Sequence, residues 1–117
     1  MQRHELDAWL GDFADTLTGD QKDDLAGVID AITCRYSDED DERRDAAVAG
    51  ATSLALGDLT LEDAADAWRT AREAERAAMA ALTGAILMAD QEGDSEASIV
   101  KQTRVNRMTI RKALGKQ

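Results

Sequence analysis

Proline is absent from the 117 residues, so no position removes a backbone donor from a helix or forces a kink in one. Aromatic residues number four, Trp9, Phe13, Tyr36 and Trp68, and alanine is abundant, which favours helix over sheet. An all-α fold is the expectation. Cys34 is the only cysteine, which excludes an internal disulfide framework and a cysteine-rich zinc site and suits a reducing compartment; it is expected to be buried and inert. His4 is the only histidine and lies in a terminus expected to fray, so neither a histidine-based triad nor a histidine metal cluster has its parts. No glycine-rich phosphate loop is present, serines and threonines read as helix caps, and no acid pair stands out as a general acid and base. No enzyme chemistry and no cofactor are expected.

Long apolar runs are also missing. The longest uncharged stretch, Ala77 to Ala89, has thirteen residues against the roughly 20 that cross a bilayer as a helix. The N-terminal MQRHELDAWLGDF carries no apolar run of signal-peptide length. A cytoplasmic protein not associated with membrane is therefore expected.

What is abundant is acid. The net charge is -10, yet residues 1–96 contain all 24 acids and eight Lys/Arg, while 97–117 contain six Lys/Arg and no acid. Such asymmetry points to one region that meets a polyanion and another that repels it. Ser37 to Glu42 concentrates five acids but lacks the alternation, central glycine and distal glutamate of a calcium loop. It reads as the acidic first turn of a helix capped by Ser37, and no metal is expected.

Leu6, Trp9, Leu10, Phe13 and Leu17 fall at helical spacing as one apolar stripe from Glu5 to Leu17. Thr18 and Gln21 form a capping-box pattern before Leu25, Val28, Ile29 and Ile32. A further helix runs through AAVAGATSLAL to Gly57, and Thr60 opens a long one from Leu61 to about Gln91. The second half of that helix is apolar on nearly every side and must be covered on every side. Either the N-terminal helices or a second copy would cover it. A homodimer through Ala77, Ala78, Ala81, Leu82 and Ala85 is expected, the alanines allowing close backbone approach.

Gly93, Asp94 and Ser95 then turn the chain into SEASIVKQTRVNRMTIRKALGKQ, with six Lys/Arg and one acid, Glu96. A short helix from Ser95 to Gln102 with Ile99 and Val100 inward is expected. A turn from Thr103 to Asn106 plugged by Val105 follows. A second helix then runs from Arg107 to Leu114, capped by Asn106, with Ile110, Ala113 and Leu114 inward. These sixteen residues, IVKQTRVNRMTIRKAL, resemble the helix-turn-helix of phage repressors and Cro-type regulators, and of short regulators encoded by actinobacterial phages and plasmids. The end of the long helix would extend the likeness to about thirty residues. Arg104 stands where that family usually has glycine and Val100 where it has a small alanine, so a turn of different shape is expected.

The resemblance implies base contacts from the start and outer face of the second helix, here Asn106, Arg107, Met108, Arg111 and Lys112. Helical geometry independently turns the last four outward. Arg107 and Arg111 suit guanine, Asn106 suits adenine, and Met108 suits a thymine methyl. Lys101, Thr103, Arg104 and Lys116 are better placed for phosphates.

The chain therefore reads as an all-α bundle with three parts: an acidic helical region (1–58), a long helix for core and dimerisation (59–92), and a helix-turn-helix (93–117). A homodimer binding double-stranded DNA in successive major grooves is the function expected. Its use as a sequence-specific repressor, and a bacterial, phage or plasmid origin with association to the nucleoid, are what the resemblance implies. Two alternatives stand beside it. One is a protein-interaction module, such as an antitoxin, adaptor or inhibitor, whose acidic N-terminal face binds a basic partner; the other is a DNA-partitioning or replication accessory protein.

Overall fold

Gly11 ends the first helix, α1 (Arg3–Leu10), by taking φ 58° and ψ -126°, a conformation that glycine reaches without a Cβ penalty. The computed structural model, which describes residues 1–116, continues from there as a 3-10 segment, Gly11–Thr16. The expected single stripe is thereby corrected. Leu6, Leu10, Ala14 and Leu17 are buried, while Trp9 and Phe13 are 51% and 60% exposed; Phe13 is turned out because the tighter 3-10 pitch re-phases the chain after Gly11, whereas Trp9 lies on α1 itself.

Thr18 and Gln21 form the reciprocal cap of α2 (Gly19–Arg35). The Gln21 backbone N–H donates to Thr18 Oγ1 at 3.2 Å, and the Thr18 N–H donates to Gln21 Oε1 at 2.8 Å. Leu25, Ala26 and Ile29 are buried on this helix, while Val28 is exposed. Cys34 is exposed, not buried as expected. It lies nine residues beyond Leu25, about two and a half turns, and so on the opposite side of α2.

A 3-10 turn, Asp38–Asp40, precedes α3 (Asp41–Ala55). Ser37 occupies the cap position of that turn, with its carbonyl accepting from the Asp40 N–H at 2.9 Å, but its hydroxyl makes no cap bond. Val48, Ala51, Ala55 and Leu56 pack against the α1–α2 cluster. Gly57, at φ 81°, reverses the chain, and Thr60 Oγ1 accepts from the Asp63 N–H at 3.1 Å to start α4 (Leu61–Gln91), thirty-one residues without interruption. α5 (Glu96–Thr103) and α6 (Arg107–Ala113) complete an all-helical chain with no strand among the described residues.

Two compact units result, Met1–Ala67 and Trp68–Gln117. The division expected from the sequence, with the long helix as a part of its own, differs from this. Beyond Trp68, α4 groups with α5 and α6, because Leu82 and Ala89 pack on a core of Ile86, Ile99 and Ile110. Leu82, expected at a dimer face, is half-buried in this intrachain core. Ala77, Ala78, Ala81 and Ala85 are exposed in the single chain, so the expectation that the apolar half of α4 is covered all round does not hold within one copy. No helix among the described residues is long and apolar enough to cross a membrane.

Candidate nucleic-acid interface

Gly93, at φ 101°, and the Asp94 N–H bonded to the Ala89 carbonyl at 3.0 Å close α4. Ser95 then caps α5, its Oγ accepting from the Ser98 N–H at 3.1 Å. Ile99 is 2% exposed and Ile110 fully buried; with Ile86 of α4 they form the centre of a three-helix arrangement, and Val105 in the turn is half-buried against them. α5 and α6 are joined by three residues, Arg104, Val105 and Asn106.

Arg104 decides the shape of that turn. It takes φ 58° and ψ 23°, the only non-glycine at positive φ among the described residues, with its N–H donating to the Val100 carbonyl at 2.8 Å. The expected change of turn shape therefore does not occur at this residue: arginine adopts the left-handed conformation that glycine would take, at a cost of about 1–2 kcal/mol. Thr103 reinforces the turn from both sides, its hydroxyl donating to the Ile99 carbonyl at 2.8 Å and accepting from the Val105 N–H at 3.2 Å.

Asn106 caps α6, with Oδ1 accepting from the Thr109 N–H at 2.9 Å. Its side chain is thus already engaged in holding the helix start, as the Thr103 hydroxyl is in holding the turn. A base contact by Asn106 or a phosphate contact by Thr103 would share groups the fold uses. Met108 is 78% exposed, and Arg107, Lys112, Lys101, Arg104 and Lys116 are exposed too, while Arg111 is half-buried. Met108, Thr109, Arg111, Lys112 and Lys116 line a shallow groove of ≈ 380 Å³ along the outer face of α6.

The residue that sequence reading passed over is Glu96. Its Oε2 lies 3.3 Å from both Nε and Nη2 of Arg107 and 3.3 Å from Nη1 of Arg111, and its Oε1 lies 3.2 Å from Nζ of Lys116. One carboxylate, 15% exposed, thus collects three of the six cations of the segment. The hydrogen bond from Lys116, with that from Arg107 and the charges of Arg111 and Lys116, holds the Glu96 carboxyl below the usual range despite the opposing effect of burial. Its place as the sole acid of the basic segment was the available signal.

No protein-family model, curated protein or solved structure matches this chain.

Proposed function

We propose that the second unit binds double-stranded DNA sequence-specifically, with α5, the Arg104–Asn106 turn and α6 acting as a helix-turn-helix whose α6 enters the major groove. The observation that carries this reading is the pairing of an inner and an outer face on α6. Ile110 locks the helix to α4 and α5, while Met108 and Lys112 lie on the opposite side and, with Arg111 and with Lys116 beyond the helix end, line the outer groove. That combination gives a rigid helix with cations and one apolar tip, the chemistry that reads guanine edges and thymine methyls. The proposed active form is a homodimer through the exposed alanine face of α4, holding two reading helices about 34 Å apart, and its proposed use is transcriptional repression.

Selection from random duplexes followed by sequencing tests this. Enrichment of a two-fold palindrome is expected, and Arg107→Ala or Arg111→Ala should cost about 1–3 kcal/mol on the selected site and relax base preference at one position of each half-site. A chain that enriches no sequence overturns the proposal.

The second reading, a protein-interaction module, draws on a different feature. α2 and α3 leave an apolar groove of ≈ 370 Å³ lined by Leu25, Val28, Ala51, Leu54 and Ala55, with Gln21 and Asp24 at its edge. An apolar floor with one acid, Asp24, beside it, in a unit of net negative charge, suits a basic amphipathic helix.

A further inference from the structure

Within the DNA-binding reading, on which this inference rests, we propose that Glu96 is an internal stand-in for a DNA phosphate: it holds Arg107, Arg111 and Lys116 in the free protein and must be displaced from them when the duplex arrives, so that it sets a salt-dependent cost on binding any duplex.

Three observations support the assignment. The contacts are convergent: side chains from the start of α6, its last turn and the residue after Gly115 reach one carboxylate at 3.2 to 3.4 Å, spanning sequence separations of 11, 15 and 20 residues. Glu96 occupies the first turn of α5, just after the Ser95 cap, where the helix dipole favours an anion, so the carboxylate is held from its own side as well. The cations it holds include both arginines assigned to base reading, and Arg111 and Lys116 also line the groove on α6.

The consequence follows from charge counting. A random duplex offers these cations only phosphates, each of which replaces one anion by another and gains little. The correct duplex adds base-edge hydrogen bonds that a carboxylate cannot supply. Either duplex must draw the same cations away from Glu96, so Glu96 lowers the affinity for both, and it keeps the guanidinium groups gathered while the protein searches. The same carboxylate in a merely structural role, as a tie between α5 and α6, would stabilise the unit without affecting DNA affinity or its salt slope.

The test uses the full chain and fluorescence anisotropy over a series of salt concentrations, on two labelled probes: a random-sequence duplex and the duplex obtained by selection. Glu96→Gln is compared with Glu92→Gln, which removes one charge from the same unit at an exposed position after α4. Glu96→Gln should bind both duplexes more tightly, the random one by about 5-fold at low salt, with a log–log salt slope steeper by up to about 0.9. Glu92→Gln should move these values much less.

Equal gains for the two variants would assign the effect to bulk charge and overturn the role of Glu96. No gain for Glu96→Gln, in a wild-type chain that still selects a sequence, overturns it while leaving the DNA-binding reading in place; failure of both chains to bind any duplex removes both. Should Glu96→Gln fail to fold, Glu96→Asp keeps the charge but withdraws it by one methylene. It should give an intermediate gain on the random duplex, and a folded Glu96→Asp with no gain overturns the assignment.

Discussion

In each unit one residue of the minority charge sits among three of the opposite sign. Residues 1–67 contain 18 acids and five Lys/Arg, whereas 68–117 contain six acids and nine Lys/Arg. In the first, Arg44 sits among Asp38, Asp41 and Asp45 at 3.7, 2.8 and 3.8 Å; in the second, Glu96 sits among Arg107, Arg111 and Lys116. The arrangements mirror each other, but what remains at the surface differs. Acids left over in the first unit repel a polyanion, while the exposed cations of α5 and α6 attract one. The cores differ as well: seven residues are buried around Leu6 in the first unit, three isoleucines in the second.

A core of three isoleucines has little redundancy, and this yields the largest effect expected. Ile110→Ala should cost about 2–5 kcal/mol, comparable with the lower end of the whole stability of a small domain. The expected outcome is loss of amide protection from hydrogen exchange across α5 and α6, with α1 and α2 still protected. Leu6→Ala, at an equally buried position of the larger cluster, should weaken its own unit without melting α6. If Ile110→Ala removed protection from α2 as well, the two units would be one cooperative structure and the comparison would break.

Local signals in the sequence located most of the helix starts. Thr18, Thr60, Ser95 and Asn106 are caps whose hydrogen bonds are present, and Ile99, Val105 and Ile110 pack as their spacing predicts. What periodicity misread is equally specific. Counting at 3.6 residues per turn carries Phe13 inward only if the helix continues through Gly11, and a glycine at φ 58° resets the phase. An apolar composition made Cys34 look like core, although its phase relative to Leu25 turns it outward. The sole acid of the basic segment was visible, but the partners of Glu96 were not: they lie 11 to 20 residues away across a turn, beyond the i+3 and i+4 spacings that local pairing rules reach.

Arg104 sharpens the comparison at the level of backbone, since every other positive-φ residue among those described is glycine. Replacing it with glycine removes a conformational cost of about 1–2 kcal/mol. It also gives the unfolded chain extra freedom, which takes back about 0.4–1 kcal/mol. The first quantity is the larger, so Arg104→Gly should raise the stability of the second unit by about 0.5–1 kcal/mol in chemical denaturation, with no change in the first. A drop in stability would mean that the arginine side chain contributes more to the folded state than its backbone costs.

The smallest effect separates the two charge centres by pH. Glu96 has a folded pKa below its unfolded value, because Lys116, Arg107 and Arg111 favour the carboxylate. Such a group adds stability that is fully present above the unfolded value of about 4.3 and disappears as pH falls through the lower, folded value. From pH 7 to about 5, therefore, Glu96 should contribute a constant amount, and acidification below about 4.3 should remove it as the three cations lose their shared anion. Glu96→Gln should match wild type in the shape of its stability curve above pH 5 and lose part of the acid limb of the second unit, while the acid limb of the first unit stays as it was. Amide exchange resolved by residue distinguishes the two limbs. Identical acid limbs in wild type and Glu96→Gln would show that the three-cation cluster contributes nothing measurable to folding, as exposed ion pairs often do.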